Sequence, residues 1–199
     1  MRLAWRRAPG LAPGFAVGLL LGAMLAGCGQ SAPGRFYVLT SNAAPARPPT
    51  ASRKIVALGR IDLPGALDRP QIARRRGANE IAYSEEERWA APLGEMLRRV
   101  LADDLAARLP GAVVLGEAGS ATPSAVTIAL EVARFDADER GQVTLRARWT
   151  ALGQDGTPRG APQEIGIVDP GSGTAAASIA AAMSRTVSEL AGHIARGLR

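Results

Sequence analysis

The chain is poor in the residues that build most metal sites and covalent scaffolds. It contains one cysteine, Cys28, and one histidine, His193, among 199 residues. A single cysteine cannot form an intrachain disulfide, and one cysteine with one histidine cannot supply the ligands of a structural zinc site. Disulfide-stabilised and zinc-binding classes of protein are therefore excluded.

Lysine is as scarce as cysteine and histidine, with Lys54 as the only one, and nearly all the basic residues are arginines. Alanine and glycine are abundant, a bias typical of a high-GC genome. The formal net charge of +6 falls to +3 if residues 1–27 are removed, since that segment holds three arginines and no acid. Charge therefore makes no case for a nucleic-acid partner, and none is predicted.

The first 27 residues have the order of a secretory signal. Arginines without any acid precede an apolar stretch from Phe15 to Leu25, which is too short and too rich in glycine for a membrane span of about 20 residues. The stretch ends in Leu25-Ala26-Gly27-Cys28, which resembles a lipobox, where the signal is cut before a cysteine that carries a diacylglycerol. We therefore predict a signal peptide over residues 1–27 and lipidation of Cys28. A buried apolar cysteine is the weaker interpretation.

Acyl chains on Cys28 would hold the mature chain at a membrane. Two or three chains on one residue give lasting attachment, because each buried methylene contributes about 0.8 kcal/mol. Gly29 follows the cysteine, and by the sorting convention of enteric bacteria the absence of Asp there favours the periplasmic face of the outer membrane over inner-membrane retention. Residues 28–34 are predicted to be the lipidated N-terminus and tether, and residues 42–52, with three prolines, a loop.

Strand patterns dominate the rest of the chain. Apolar runs or alternation predict strands at residues 35–40, 55–63, 113–115, 126–133, 143–150 and 165–168. The segment 55–63 is almost continuously apolar, as in a central strand covered on both faces. The segment 143–150 alternates most cleanly, which predicts one solvated face. The polar segment 136–141 predicts the hairpin turn that leads into it.

Two helices are predicted beside this sheet. Apolar side chains recur every three or four residues over 89–105 and again over 179–198. Pro92 is tolerated only in a first turn, so the segment 85–88 is predicted to be a lead-in turn. Together these elements predict one α+β domain over residues 35–199, in which a twisted, mainly antiparallel sheet carries two long amphipathic helices.

No catalytic set, cofactor or metal site is predicted. His193 lies near the end of the second helix, where a boundary histidine is favoured over a ligand or a base. The segment Gly171-Ser172-Gly173-Thr174 lacks the lysine of a phosphate-binding loop, so we predict that Ser172 or Thr174 caps the second helix. Arg74-Arg75-Arg76 has two interpretations, a solvated turn or a contact with anionic headgroups or an acidic partner.

An ordered set of short motifs carries a resemblance to a known family. The set consists of Phe36-Tyr37-Val38-Leu39, Leu63-Pro64, Leu67-Asp68-Arg69-Pro70-Gln71-Ile72, Arg74, Arg88-Trp89-Ala90-Ala91-Pro92-Leu93, Leu101, Leu105 and Leu109. On these residues the chain resembles the PqiC-type family, the ABC-type transport auxiliary lipoproteins, over about residues 35–198. It departs from the family pattern at Gly65-Ala66, where members often place an aromatic residue.

The resemblance implies a non-enzymatic periplasmic subunit of an MCE-type system, which moves lipids between the inner and outer membranes. In that role the lipoprotein docks the MCE tunnel at the outer membrane, so its partners are an MCE-domain protein and membrane lipid. The candidate partner-binding residues are Asp68, Arg69, Pro70, Gln71, Arg74, Arg88 and Trp89. A local ion pair of Asp68 with Arg69 or Arg74 is an equally acceptable interpretation of that loop. The sequence does not determine the oligomeric state, so both a monomer and a homo-oligomer are compatible with it.

Two other functional classes are compatible with a small anchored domain. An envelope assembly or scaffold lipoprotein without a transport role is one, because fold does not imply function. A gene for an MCE-domain protein or an ABC permease beside this one would favour transport over that alternative. An anchored hydrolase ranks last, since the sequence offers no pair of nucleophile and base.

We predict that Cys28→Ala leaves an uncut and unlipidated precursor, because diacylglycerol transfer needs the thiol and the cut follows it. Mass spectrometry of the N-terminus measures both events. The wild-type chain should begin at an acylated Cys28, and the variant should retain its signal. A wild-type chain that begins at another residue or carries no acyl group would contradict the prediction.

Overall fold

A computed structural model describes residues 33–44, 54–116 and 125–199. The predicted signal peptide, Cys28 and the tether up to residue 32 lie outside the described residues, as does most of the loop predicted at 42–52. Within the described ranges, eight strands and two helices surround one apolar core, which confirms the α+β fold class. Neither of these helices combines the length and the apolarity that a membrane span requires.

The elements follow one another in a strand-rich order. The strands are β1 (Arg35–Tyr37), β2 (Lys54–Asp62), β3 (Gln71–Arg76), β4 (Glu80–Trp89), β5 (Ala112–Leu115), β6 (Ala125–Ala137), β7 (Val143–Leu152) and β8 (Gln163–Asp169), and the helices are α1 (Leu93–Arg108) and α2 (Ala176–Gly197). The strands predicted from periodicity correspond to β1, β2 and β5 to β8. The hairpin predicted between 126–133 and 143–150 is formed by β6 and β7.

The sheet is organised around β6. One edge of β6 pairs antiparallel with β7, which in turn pairs antiparallel with β8. The other edge pairs in parallel with β2 along its first half and then with β3 at the bridge between Arg74 and Ala137. From there β2 continues to β5, and β3 continues through β4 to β1. The longest ladders are antiparallel, as predicted, and parallel pairs such as β2 with β5 add to them.

The helices lie together on one face of the sheet, and the core fills the space between the two layers. Alternate residues of β6 and β7, such as Ile128, Leu130 and Leu145, are at most 2% exposed. Their neighbours Arg146 and Arg148 are exposed on the uncovered face, as the alternation predicts. The strand β2 is flanked by β5 and β6, which matches the prediction that the apolar run 55–63 is a central strand.

The hairpin of β3 and β4 contradicts two predictions. The segment 85–88, predicted to be a lead-in turn, belongs to β4, and Arg74-Arg75-Arg76, for which a solvated turn was one interpretation, belongs to β3. These strands lack a clean apolar alternation because distant partners neutralise their charges. Arg74 bonds Glu87 at 2.6 Å and Arg75 bonds the buried Asp136 at 2.9 Å, so charged side chains occupy positions where apolar ones are usual.

The first helix begins later than predicted, and the N-terminus of the second differs from the prediction. The helix α1 begins at Leu93 with Pro92 as its N-cap, and Trp89 ends β4 instead of opening the helix. The N-cap of α2 is Ala175, in an extended conformation and without a side-chain hydrogen bond, so the predicted cap by Ser172 or Thr174 is wrong. Extended backbone at Ala175 delays the first helical turn past both hydroxyl groups.

Trp89 is 4% exposed and belongs to the main core, so its burial is as expected although its strand is not. We predict that Trp89→Ala lowers the free energy of unfolding by about 3 to 5 kcal/mol, because it removes a large apolar side chain and leaves a cavity. Urea unfolding measures this, with Val113→Ala at a partly exposed edge-strand position as the control that should change little. Tryptophan emission typical of water-exposed indole in the folded chain would contradict the placement.

An ion pair joins the end of β8 to α2. The Asp169 carboxylate accepts hydrogen bonds from Arg185 Nε (2.7 Å) and Nη2 (3.0 Å) and from the Gly171 amide (2.8 Å). The hydrogen bond from Arg185 is the largest cause of a lowered Asp169 pKa, with burial acting in the opposite direction. A carboxylate with a depressed folded-state pKa stabilises the fold above its unfolded pKa, and this contribution disappears as the pH falls through the folded value.

We therefore predict that Arg185→Met destabilises the fold by about 0.5 to 1 kcal/mol at about pH 7, in the range of a partly exposed pair. The difference from wild type should shrink as the pH drops below about 3.9, the ordinary pKa of Asp, and approaches the lowered folded-state value. Urea unfolding across this pH range measures the difference. An equal difference at neutral and strongly acid pH would show that the lost aliphatic packing of Arg185, and not its charge, is responsible.

Candidate partner-docking site

The loop between β2 and β3, residues 63–70, closes on itself through its own backbone. The Pro64 carbonyl accepts hydrogen bonds from the amides of Leu67 (2.8 Å) and Asp68 (3.2 Å). Leu67 is 4% exposed and anchors the turn in the core. The next two side chains, Asp68 and Arg69, are exposed. A turn built on proline therefore presents one acid and one base to the surface.

Tyr83 of β4 supports the loop from the side. Its hydroxyl donates to the Ala66 carbonyl at 2.9 Å, and the Arg69 guanidinium lies 5.3 Å from the centre of its ring. A cation at this distance is attracted by the negative face of the ring. The aromatic contact of the loop thus comes from β4, whereas the loop itself has Gly65-Ala66. Tyr83 carries no signal of this role in the sequence, because only the pairing of β3 with β4 brings it to the loop.

Asp68 forms no ion pair with any residue in the described part of the chain. The local ion pair with Arg69 or Arg74, which was the other interpretation of this loop, is therefore not formed. Arg69 lies over Tyr83, and Arg74 donates to Glu87 (2.6 Å) and to the Thr174 carbonyl (2.6 Å). The exposed Asp68 carboxylate is therefore available to a partner without the loss of an existing ion pair.

Three of the candidate residues have structural contacts instead. Gln71 donates to Glu85 at 3.1 Å, and Arg88 donates to the same carboxylate at 3.0 Å. The bonds of Gln71 to Glu85 and of Arg74 to Glu87 link β3 to β4 at the base of the loop, and Arg88 holds Glu85 from within β4. The structure therefore brings Asp68, Arg69, Pro70 and Trp89 together and assigns the other three to the hairpin.

An apolar cleft of about 270 Å³ opens beside Asp68 and Arg69. Its lining consists of Asp68, Arg69, Pro70, Trp89, Ala91 and Pro92. The Trp89 amide donates to the Pro70 carbonyl at 2.6 Å, which fixes the two sides of the cleft to each other. The arrangement combines a rigid apolar floor with charges at the rim, as in the surfaces that proteins use to bind one another. It has no group placed for bond-making chemistry.

A second cleft, of about 300 Å³, lies on the other side of Asp68 and Pro92, and Glu95 and Arg98 of α1 contribute to it. Arg98 Nη1 donates to the carbonyls of Leu58 (3.1 Å), Gly59 (2.7 Å) and Gly116 (3.0 Å). The pairing of β2 with β6 is irregular just after Leu58, so this guanidinium satisfies carbonyls where the ladder is interrupted. Arg98 thereby ties α1 to the strand that leads into the loop.

His193 and the glycine-rich segment 171–174 have structural contacts. No group of three or more potential metal ligands occurs in the described residues. His193 lies 3.8 Å from Glu189 on the surface of α2. Gly141 and Gly171, both with positive φ, lie on facing turns that approach so closely that a Cβ atom on either would collide with backbone, of Gly173 and of Gly141 respectively. Their small size thus serves close packing between two loops.

The fold is shared with solved structures. One, a crystal structure of an uncharacterised protein, superposes with a TM-score of 0.73 at 17% identity and covers 84% of this chain and 100% of its own. A Xanthomonas campestris protein of the DUF330 family superposes with a TM-score of 0.65 at 20% identity, covering 81% of this chain and 92% of its own. At such low identity the similarity concerns the fold alone. A search of curated proteins finds no significant match.

The sequence itself matches the family model described as "ABC-type transport auxiliary lipoprotein component" over residues 37–195. This range includes β4, α1, all but the last two residues of α2, and the loop that carries Asp68 and Arg69. The chain therefore belongs to the family of ABC-type transport auxiliary lipoprotein components.

Proposed function

We propose that this chain is a non-enzymatic, lipid-anchored periplasmic subunit of an MCE-type transporter that moves lipids between the inner and outer membranes. In this proposal, acyl chains on Cys28 hold the domain at the periplasmic face of the outer membrane. The domain docks the tunnel of an MCE-domain protein there. Membership in a family of ABC-type transport auxiliary lipoproteins supports the link to a transporter.

The observation that carries the docking proposal is Asp68, which is exposed at the rim of an apolar cleft and forms no ion pair among the described residues. Trp89 and Pro92 form the apolar side of the cleft. Because neither side chain is charged, a partner that fills this side can exclude water from it. Rim charges mainly steer a partner and set its orientation, whereas apolar anchors supply most of the affinity. A partner segment that places an apolar side chain in the cleft and a base near Asp68 would satisfy both.

The anchor reduces the affinity that docking needs. A domain held near the end of the tunnel meets its partner at a high effective concentration, so a modest interface suffices. A weak affinity between soluble fragments is therefore consistent with the proposal. The rigid base of the loop lowers the entropic cost of binding further, because the hairpin contacts of Gln71, Arg74 and Arg88 already fix its position.

A scaffold lipoprotein without a transport role is the alternative. Both roles use a docking surface, and they differ in the partner that the surface captures. Capture of an MCE-domain protein from membranes favours transport, and its absence together with capture of an unrelated envelope protein favours the scaffold. Neither role includes hydrolysis or nucleotide binding.

We predict that exchange of the two rim charges, Asp68→Lys with Arg69→Glu, weakens capture of the cognate MCE protein about tenfold, which corresponds to about 1.4 kcal/mol. The exchange keeps the net charge but reverses the local field, and it removes the cation from the Tyr83 ring. Pull-down from solubilised membranes with the full lipidated chain measures the change.

The matched control is Arg99→Glu with Asp103→Lys, which makes the same exchange at two exposed positions of α1. It should capture the MCE protein as wild type does. Unchanged capture by the Asp68 and Arg69 variant would remove this loop from the interface. Failure of the wild-type chain to capture any MCE protein would overturn the transport proposal itself.

A further inference from the structure

Exposed apolar side chains are few in the described residues, and two of them lie together at β1. The large hydrophobic residues with substantial exposure are Phe36 (66%), Val38 (46%), Val113 (38%) and Val168 (56%). Phe36 and Val38 are two positions apart, while Leu39 between the helices and the sheet is 1% exposed. Alternation along an extended chain therefore turns Phe36 and Val38 outward together. Neighbouring apolar side chains with this much exposure often mark a surface that contacts another molecule or a membrane.

The strand β1 is also the end of its sheet. It pairs with β4 on one side, with Phe36 opposite Arg88 and Tyr37 opposite Trp89. In the ranges that the structure describes, no strand pairs with its other edge. The Arg35 side chain is 64% exposed and lies 4.0 Å from Glu87. The surface thus consists of an open strand edge, two outward apolar side chains and one extended guanidinium.

The position of this surface in the chain indicates what covers it. Phe36 is eight positions after Cys28 in the sequence. Eight residues span at most about 28 Å when fully extended, at roughly 3.5 Å per residue. If Cys28 is acylated, as the proposed function assumes, Phe36 cannot leave the neighbourhood of the bilayer surface, whatever the domain does. Among the exposed large hydrophobic residues of the described chain, Phe36 is the nearest to Cys28 in sequence.

We propose that this β1 surface, made by Arg35, Phe36 and Val38, contacts the bilayer at the level of the lipid headgroups and orients the anchored domain. The aromatic ring and the valine would enter the boundary between headgroups and acyl chains, and Arg35 would lie near lipid phosphates. Exposed carboxylates of Glu85 and Glu86 on the neighbouring strand limit how deeply the surface enters. The contact is shallow and would not hold a free domain, but a chain already confined to the membrane needs little additional affinity.

The single cysteine allows a test that does not depend on lipidation in the cell. A chain that begins at Cys28 keeps every buried core residue of the described structure, since these lie between Leu39 and Ala195. Its thiol is coupled to a maleimide lipid in vesicles of phosphatidylethanolamine and phosphatidylglycerol, with or without brominated acyl chains. Phe36→Trp places a fluorescent reporter at the surface, while Trp89 and Trp149 stay in the core.

The matched control is Val168→Trp, which places the same reporter at an exposed position of the terminal strand β8. We expect the tryptophan at position 36 to shift its emission to the blue on coupling and to lose intensity with brominated lipid. The tryptophan at position 168 should show neither change. The double substitution Phe36→Asp with Val38→Ser, made in the chain that carries the reporter at position 168, should leave the thermal unfolding temperature unchanged. That result shows that the two side chains do not stabilise the fold.

Three results would overturn the proposal. Equal quenching at positions 36 and 168 would mean that the domain has no fixed orientation, and no quenching at either position would mean that β1 does not contact lipid. Loss of a dimer on Phe36→Asp, measured by sedimentation of the uncoupled chain, together with absent quenching, would assign the surface to a second copy of the chain. Because coupling is chemical and no MCE protein is present, none of these results bears on lipidation in the cell or on transport.

Discussion

The fold depends on the way that two strands share one edge of β6. The strand β2 occupies the first half of that edge and departs after Asp62, and β3 reaches the same edge at Arg74, opposite Ala137. Backbone hydrogen-bonding groups along a buried strand must be satisfied, and the bridge of Arg74 to Ala137 gives the end of β6 a partner after β2 has left. The eight residues 63–70 connect β2 to β3, and this loop projects from the sheet because both strands pair with the same edge of β6.

The change of strand partner along β6 is stabilised by guanidinium groups rather than by apolar packing alone. Arg98 bonds the carbonyls of Leu58 and Gly59, where the pairing of β2 with β6 becomes irregular. Arg75 and Arg134 pair with the buried carboxylate of Asp136 near the far end of β6. A buried carboxylate is costly unless it is paired, so these contacts constrain the hairpin of β3 and β4 to one position. The loop with Asp68 is therefore held on a rigid base, which suits a docking surface.

The two proposed surfaces are neighbours in the sheet and have different partners. The cleft at Pro70 and Trp89 is next to β1, because Tyr37 lies opposite Trp89 in the strand pairing. If Phe36 rests on the bilayer, the cleft is presented close to the membrane surface, where the end of a tunnel that delivers lipid would have to arrive. The anchor, the membrane contact and the docking cleft would then together restrict the orientation of the domain relative to the membrane.

Periodicity along the chain determined the elements whose neighbours are uniform. The apolar run of β2, the alternation of β6 and β7 and the four-residue steps of α2 follow from one buried and one solvated side, and local sequence records that difference. The prediction of a lipobox and the family resemblance likewise needed only the order of residues. The hairpin of β3 and β4 and the exposure of Asp68 were decided by tertiary structure. Arg75 finds Asp136 and Arg69 finds the Tyr83 ring across the fold, and charges neutralised by distant partners leave no periodic trace in the sequence.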